Sequence, residues 1–329
     1  MKQLTLGAKG PQVSQIGLGC MSIAGAYGPT TEAQAFALLD AAWEAGVTFY
    51  DTANIYGMGR SEEILGRWMA DRRPEGLVLA TKASIIPGPP REIDNSATHL
   101  RSELEGSLKR LGLERVDLFY AHRRDARVEP EVLAETMAAL VREGKIDGYG
   151  VSEWSPASLR RAHAVHPVTA VQSEYSLWTR QPELGMIQAC EALGVGFVPF
   201  SPLARGILTD DVQQPVDYAK GDFRTRNPRF LPGSFERNMA AIAPFREFAA
   251  ARGTATATLA MAWVLAQGNG QMAPIPGTRS IAHLRECLAA AEVKLSAEDL
   301  AEIARLLPAG FAEGGRYAEA QTAGVESYG

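Results

Sequence analysis

Four ionisable side chains follow short apolar stretches of this sequence. Asp51 ends the run Val-Thr-Phe-Tyr, and Tyr56 lies five residues beyond it on a glycine-containing loop. Lys82 ends the run Leu-Val-Leu-Ala-Thr, and His122 follows Val-Asp-Leu-Phe-Tyr-Ala. Such runs are typical of buried parallel strands, whose carboxyl ends meet at one face of an α/β barrel. The sequence therefore predicts that a carboxylate, a phenol, an ammonium and an imidazole share one site.

Together these groups support proton transfer to or from an oxygen atom. A free tyrosine has a pKa of about 10, and a nearby ammonium lowers that pKa by favouring the phenolate. Asp51 would hold Lys82 in place, and His122 would bind the substrate oxygen. The set has no obvious nucleophile or metal, so we predict proton donation to a carbonyl, or the reverse. This reaction also needs a hydride, which a nicotinamide cofactor supplies.

Strand-like and helix-like stretches alternate along the chain, and they predict an α/β fold, a (β/α)8 TIM barrel. We predict strands at about 16–19, 47–51, 77–82, 116–121, 148–152, 168–172, 195–200 and 272–275. We predict helices at about 31–45, 61–73, 97–112, 130–143, 156–164, 182–193, 254–267 and 281–290. An N-terminal hairpin, a long loop at 204–252 after strand seven with its own helical stretch near 235–251, and a C-terminal tail at 308–329 complete one domain, residues 1–329.

Composition argues against several classes of function. The formal net charge of −5 is unfavourable for binding nucleic acid or an anionic membrane surface. No apolar run approaches the length of a membrane span or a signal peptide, so we expect a cytoplasmic protein. The cysteines, Cys20, Cys190 and Cys287, lie far apart, and His163 and His166 have no acid or cysteine nearby. We therefore expect no disulfide framework and no metal site.

The motifs around the four ionisable groups resemble those of the aldo-keto reductase superfamily. The matching residues are Asp51-Thr52-Ala53, Tyr56-Gly57, Ser61-Glu62, Leu65-Gly66, Thr81-Lys82 and His122-Arg123, and the resemblance runs from Ile16-Gly17-Leu18-Gly19 to Gly315-Arg316-Tyr317. It implies that Tyr56 is the general acid, that Lys82 and Asp51 tune it, and that His122 orients the substrate. It also points to the branch with pyridoxal reductases and broad-range aldehyde reductases, and so to NADPH-dependent reduction of an aldehyde or ketone.

The sequence lacks a Rossmann fingerprint, since Gly57-Met58-Gly59 has no third glycine at the right offset. Instead, Ser280 is predicted to cap a helix whose free N–H groups can bind a phosphate. The guanidinium of Arg279 can make a forked contact with a 2′-phosphate, which favours NADPH over NADH.

The resemblance also assigns cofactor contacts to the ends of later strands. Ser152 and Gln172 match residues that bind the carboxamide, and Phe200 matches an aromatic ring that stacks on the nicotinamide. The complete set assigned to the cofactor is Gly19, Met21, Ser152, Glu153, Gln172, Phe200, Ser201, Pro202, Leu203, Gly206, Gly277, Thr278, Arg279, Glu286 and Cys287. Glu153 and Cys287 stand where most of the family has Asn, and Phe200 lacks the hydroxyl or indole seen elsewhere.

Several other residues are candidates for the substrate pocket. Tyr27, Trp154, Trp178 and Phe223 are candidate walls, and each is equally consistent with ordinary packing. The charged loop 123–127 beside His122 is either a solvated face with local ion pairs or a place where an arginine meets an anionic substrate.

The sequence is also consistent with alternative functions of two classes, enzymes with other substrates or direction and an NADPH-binding regulator. The same atoms would catalyse the reverse reaction, oxidation of an alcohol or sugar, and the long loop fits a deoxysugar or secondary-metabolite reductase equally well. Relatives such as the potassium-channel β-subunits keep this fold and bind NADPH while serving another protein, so an NADPH-sensing role is the second alternative. The small-molecule carbonyl substrate, the direction of the reaction and the oligomeric state are not determined by the sequence.

Overall fold

The computed structural model describes residues 1–268 and 270–328 and shows a (β/α)8 barrel, which confirms the predicted fold class. Its strands are β1 (Gln3–Thr5), β2 (Gln12–Ser14), β3 (Leu18–Gly19), β4 (Phe49–Asp51), β5 (Val78–Ala83), β6 (Ile85–Ile86), β7 (Glu92–Ile93), β8 (Val116–Ala121), β9 (Ile146–Ser152), β10 (Ala170–Glu174) and β11 (Gly196–Phe200). The barrel wall is a parallel sheet in the order β11-β10-β9-β8-β5-β4-β3. Its register pairs Asp51 with Ala80 and Lys82 with Tyr120, so the functional strand ends lie side by side.

The predicted eighth strand closes the barrel through isolated bridges to β11. On one side, the N–H groups of Ala273 and Ile275 donate to β11 at 3.1 and 3.0 Å. On the other side, the carbonyls of Pro274 and Pro276 accept bonds of 2.9 Å from residues 17 and 19. Proline has no N–H, so this segment cannot form all the backbone hydrogen bonds of a regular strand with both neighbours. The N–H and carbonyl groups named above are nevertheless all paired.

Helices cover the outer face of the sheet. They are α1 (Glu32–Glu44), α2 (Arg60–Arg72), α3 (Ala97–Leu111), α4 (Pro130–Arg142), α5 (Pro156–Val165), α6 (Met186–Leu193), α7 (Ser234–Ala251), α8 (Thr256–Ala266), α9 (Ile281–Ala289) and α10 (Ala297–Leu306). Most of them match the predicted ranges within two residues, but α6 starts four residues late because residues 181–184 form a 3-10 turn. None of the helices in the described part of the chain is long and apolar enough to cross a membrane.

Two elements lie outside the predicted set. The small hairpin of β6 and β7 extends the loop after β5, and α10 follows the last barrel helix. Ser296 and Asp299 form a reciprocal capping box at the start of α10. This Ser-x-x-Asp pattern was the sequence signal that could have located the helix.

The N-terminal hairpin closes the barrel at the end opposite the functional strand ends. Leu4, Leu6 and Val13 from the hairpin join the apolar interior formed by barrel residues such as Leu118. The N–H of Ser14 donates to the Thr48 hydroxyl at 2.9 Å, just before β4 begins. The hairpin therefore covers the amino end of the barrel with apolar side chains.

The long loop and the tail lie at the opposite, carboxyl end. After β11 the chain passes through several 3-10 turns before α7, and the N–H of Phe223 donates to the Ala26 carbonyl at 3.1 Å. The tail is tied to α7, because the Asn238 amide donates to the Glu313 carbonyl at 2.9 Å. Both segments thus frame the mouth of the barrel.

Candidate active site

A cleft of about 1000 Å³ opens at the carboxyl end of the barrel. Asp51, Tyr56 and His122 line it, and Lys82 lies beneath them, fully buried at the end of β5. The four groups predicted from separate stretches of sequence therefore meet in one place. Their side chains come from β4, the loop after it, β5 and the residue following β8.

The loop that carries Tyr56 is shaped by left-handed backbone. Gly57, Met58 and Gly59 have φ values of 60°, 56° and 95°, and α2 begins directly afterwards at Arg60. A Cβ on Gly57 would lie 2.9 Å from the Ala24 Cβ, so glycine also allows close packing here. This tight turn aims the phenol of Tyr56 back into the cleft, as its position in the lining shows.

Lys82 connects the carboxylate to the phenol. Its ammonium pairs with the Asp51 carboxylate and donates to the Thr52 carbonyl at 2.7 Å. The same nitrogen lies 3.5 Å from the Tyr56 hydroxyl, within hydrogen-bond range, and 5.1 Å from the centre of the ring. The second Asp51 oxygen accepts a 2.7 Å bond from the Gln172 amide, so the carboxylate is held on both sides.

Burial and neighbouring charge act in opposite directions on this pair. Burial raises the pKa of Tyr56 above its ordinary value of 10.0, and the Lys82 ammonium works against that rise. Burial alone would lower the pKa of Lys82, but Asp51 and Tyr56 raise it above the usual value. Lys82 is therefore charged at neutral pH, and Tyr56 is protonated and able to act as an acid.

His122 lies beside the phenol as a neutral imidazole. Its ring is 5.9 Å from that of Tyr56, edge to face, and only 6% of the residue is exposed. Burial lowers its pKa well below 6.5, and the charges of Arg123, Lys82 and Arg91 add to the effect. Its Nδ1 atom is buried and has no hydrogen-bond partner within the described residues. A neutral imidazole can donate one hydrogen bond to a substrate oxygen without competing for the proton.

The structure brings thirteen of the fifteen residues assigned to the cofactor into the cleft lining. They are Gly19, Met21, Gln172, Phe200, Ser201, Pro202, Leu203, Gly206, Gly277, Thr278, Arg279, Glu286 and Cys287. The segment after β11 is unusual, because Ser201, Ala204 and Arg205 all have positive φ between 49° and 59°. Non-glycine residues rarely adopt this conformation, and it is concentrated at binding sites.

Ser152 and Glu153, in contrast, do not line the cleft. The Ser152 hydroxyl accepts a 3.2 Å bond from Arg123, and the Glu153 carboxylate pairs with Arg316 at 2.6 Å. The other Glu153 oxygen accepts from the N–H of Glu174 at 2.8 Å. Glu153 is thus engaged in an internal network with the tail, and its contact with the cofactor stays a prediction.

The far end of the cleft is formed by the start of α9. Ser280 caps this helix by accepting a bond from the N–H of His283, as predicted. Arg279 is exposed there, and its guanidinium donates to the Pro29 carbonyl at 3.0 Å. A Cβ on Gly277 would lie 3.0 Å from the Gly19 carbonyl oxygen, so the backbones approach closely beside this helix end. Free N–H groups and a guanidinium suit a phosphate.

The chain is similar to known proteins over nearly its whole length. The model of the aldo/keto reductase family matches residues 15–308. Probable aldo-keto reductase 1 of Glycine max is 39% identical over 320 residues, which cover 96% of this chain and 92% of that protein. This chain belongs to the aldo/keto reductase family. The structure of the glycerol dehydrogenase AKR11B4 from Gluconobacter oxydans superposes with a TM-score of 0.83 at 28% identity, over 93% of this chain and 94% of that one.

As an aldo/keto reductase, the chain is an oxidoreductase that acts on carbonyl or CH–OH groups with a nicotinamide cofactor. The described residues contain no group of three or more His, Cys, Asp or Glu side chains able to hold a metal ion. The cleft lining fits a dinucleotide, because it offers a helix end for phosphate and an aromatic ring at Phe200.

Sequence reasoning missed several residues that complete this reductase's cleft. They are Arg91, Arg205, Arg224 and Tyr317, whereas the predicted walls Tyr27 and Phe223 do line the cleft. Trp154 and Trp178 are buried away from the lining. Aromatic residues interspersed with arginines in the long loop and the tail were the available signal, but their position over the cleft depends on the fold.

Proposed function

We propose that this chain reduces an aldehyde or ketone to the alcohol with NADPH, using Tyr56 as the general acid. The observation that carries the proposal is the Tyr56 hydroxyl in the cleft, 3.5 Å from the buried and charged Lys82. Because the phenol is protonated at neutral pH and faces the cleft, it can give its proton to a substrate oxygen there. The reduced nicotinamide, when bound, supplies the hydride to the carbonyl carbon.

The surrounding residues would stabilise this transfer. The Lys82 ammonium favours the phenolate that forms once Tyr56 has donated its proton, and Asp51 keeps Lys82 in position. Neutral His122 would hold the substrate oxygen near the phenol through one hydrogen bond. Phe200 lines the cleft at the end of β11 and would support the nicotinamide by stacking.

A second candidate function is oxidation of an alcohol by the same residues in reverse. The structurally similar protein from Gluconobacter oxydans is a glycerol dehydrogenase, and a phenolate at Tyr56 would accept the proton that the alcohol releases.

We also propose that the protein works in a reducing compartment such as the cytoplasm. Its three cysteines are buried and form no disulfide, as is usual for proteins of that compartment.

The test is the rate of cofactor oxidation with a panel of aldehydes and ketones, measured with NADPH and with NADH. We expect turnover with NADPH, and alcohol oxidation with NADP⁺ at alkaline pH. Tight NADPH binding without turnover across the panel would contradict the reductase proposal and favour a sensing role.

The choice of NADPH depends on Arg279. We predict that Arg279→Ala weakens NADPH binding by about tenfold or more and changes NADH binding by less than about threefold, because one charge-assisted contact is lost. Equilibrium titration of the cofactor fluorescence would measure both affinities. Arg285→Ala, on the same helix but outside the cleft lining, is the control and should change neither. An equal loss for both cofactors would remove the 2′-phosphate assignment.

A further inference from the structure

Five arginines line the cleft, and three of them lack an acidic partner among the described residues. Arg205 pairs with Glu174 at 3.0 Å, and Arg224 pairs with Asp222 at 2.8 Å. Arg279 lies at the start of α9, where we place the nucleotide phosphate. The remaining two are Arg91 and Arg123, which form no ion pair with any described residue.

Arg123 is a buried charge that contacts only neutral groups. Six per cent of the residue is exposed, and its Nη1 donates to the His122 carbonyl at 2.7 Å and to the Ser152 hydroxyl at 3.2 Å. Its Nη2 lies 3.4 Å from the Tyr317 hydroxyl, and its Nε is buried with no partner among the described residues. The guanidinium is thus oriented by three neutral acceptors, and no described carboxylate pairs with it.

Arg91 approaches the same place from the loop between β6 and β7. It is half-buried and lines the cleft, and its side chain makes no hydrogen bond to a described residue. Burial lowers the pKa of Arg91, and the neighbouring charge of Arg123 lowers it further. Both guanidiniums also lower the pKa of His122. Both guanidiniums line the same cleft as the imidazole, and Arg123 directly follows His122 in the chain.

Two unpaired guanidiniums in one partly buried cleft are unfavourable without an anion. Burying a charge without a partner costs free energy, and like charges in a partly buried site repel. A chain with a formal net charge of −5 has many carboxylates, yet none of those described pairs with Arg91 or Arg123. A ligand that supplies negative charge here would offset both costs, as expected for a binding site.

We propose that Arg91 and Arg123 bind an anionic group on the carbonyl substrate, either a carboxylate or a phosphate. The guanidiniums present several N–H donors in a fixed fork, which matches the oxygens of either anion. With the anion held there, the carbonyl of the same molecule would reach Tyr56 and His122. Tyr317 from the tail forms the remaining wall, since Arg123 and Arg205 both lie over its ring at 5.9 and 5.3 Å. This inference rests on the reductase activity proposed above.

Matched substrates test the preference for negative charge. For the carboxylate, kcat/KM is compared between 4-carboxybenzaldehyde and its methyl ester, and for the phosphate, between glyceraldehyde 3-phosphate and glyceraldehyde. We expect the anionic member of at least one pair to be preferred by about tenfold or more, as one or two charge-assisted contacts would give. The pair that shows the preference identifies which anion the site binds.

Arg91→Gln is the informative variant, because Arg91 makes no structural hydrogen bond to a described residue that the change would break. We expect this variant to lower the ratio of kcat/KM for the anionic substrate to kcat/KM for its neutral analogue by about tenfold. Most of the change should be a higher KM for the anionic substrate. Arg123→Lys keeps the positive charge but loses the planar pair of N–H donors of the guanidinium. It should therefore retain only part of the preference for the anionic substrate. Arg115→Gln is the control, since Arg115 is exposed just before β8 at the opposite end of the barrel and should leave the advantage intact.

Equal kcat/KM for both members of each pair in the unmodified protein would overturn the inference and leave the reductase proposal standing. An Arg91→Gln variant that loses affinity for NADPH instead of for the anionic aldehyde would overturn it as well. A binding measurement tests the anion site independently of turnover. Calorimetric binding of unreactive 4-methylbenzoate or of inorganic phosphate, lost in Arg91→Gln, would support the anion site even if no aldehyde were reduced and the reductase proposal failed.

Discussion

At the level of single residues, the acidity of Tyr56 depends on two opposing effects. Burial keeps the phenol protonated, while the ammonium of Lys82 stabilises the phenolate that proton donation leaves behind. Asp51 pairs with Lys82 and raises the pKa of that ammonium, which favours its charged form. In the proposed mechanism, the three residues thus prepare a proton donor whose product is stabilised before the substrate arrives.

Replacing Tyr56 by Phe should separate binding from chemistry. The change removes one hydroxyl and keeps the ring, so we expect NADPH affinity to change by less than about threefold and kcat for aldehyde reduction to fall by about 10²–10⁴-fold. Steady-state kinetics and cofactor titration would measure both quantities. Tyr50→Phe is a matched control, because the Tyr50 hydroxyl binds the Leu39 carbonyl away from the cleft lining. Reduction by Tyr56→Phe at the parent rate would exclude Tyr56 as the acid.

The pH profile should reflect Tyr56 and not His122. Because burial raises the pKa of Tyr56 above 10.0, the protonated acid persists through neutral pH, and kcat/KM for reduction should fall only above about pH 10. The pKa of His122 is lowered well below 6.5, so the imidazole stays neutral from about pH 6 upward. Initial rates between about pH 6 and 11 would check this prediction. A fall in activity centred near the ordinary histidine pKa of about 6.5 would contradict it.

At the level of elements, the tail is held over the barrel by buried ion pairs. Arg316 donates to Glu153 at 2.6 Å and to Gln181 at 3.0 Å, and lies 3.4 Å from Glu174. Glu153 follows β9, Glu174 ends β10, and both are almost fully buried. Removing one member of such a network leaves a buried charge unpaired, so the tail and the barrel depend on each other.

Arg316→Met should therefore weaken both stability and substrate binding. We expect the free energy of unfolding to fall by about 3 kcal/mol, because Glu153 loses its partner, and KM to rise as Tyr317 loses its position. Urea denaturation and steady-state kinetics would measure these effects. Arg305→Met on α10 removes an exposed ion pair with Glu302 and should cost no more than about 0.5 kcal/mol. Equal stability of the two variants would show that the tail is not held by Arg316.

At the level of the whole molecule, stability and function occupy opposite ends of the barrel. The hairpin of β1 and β2 and the interior side chains fill the amino end, and they include Leu4, Leu6 and Leu118. The carboxyl end keeps the cleft and the strained backbone after β11. A packed interior lets the carboxyl end hold buried charges and unfavourable φ values that would otherwise destabilise the fold.

Leu118→Ala tests the contribution of the barrel interior. Leu118 is fully buried, so its truncation leaves a cavity and should lower the free energy of unfolding by about 2–5 kcal/mol. We propose that residues 1–329 form one domain, in which case urea unfolding should show a single transition shifted to lower denaturant. Val132→Ala on the exposed face of α4 should cost about 0.5 kcal/mol or less. Two separate transitions would contradict the single domain.

The sequence by itself predicted the barrel and which residues meet at its mouth. Apolar strand stretches end at Asp51, Lys82 and His122, and this information is local, because a strand's hydrophobic run and its terminal residue are adjacent in the chain. The capping of α9 by Ser280 was predictable for the same reason. The roles assigned to the cofactor contacts remain predictions, although most of these residues line the cleft.

Only the tertiary structure decided which charges are paired and which are free. Arg123 meets Tyr317 across 194 positions, and Glu153 meets Arg316 across 163. No local pattern relates such distant residues, so the sequence could not show that Glu153 pairs with the tail. The sequence also could not show that Arg91 and Arg123 lack acidic partners among the described residues. Whether a charge is paired depends on which loop and tail residues lie beside it, and these segments come together only in the folded barrel.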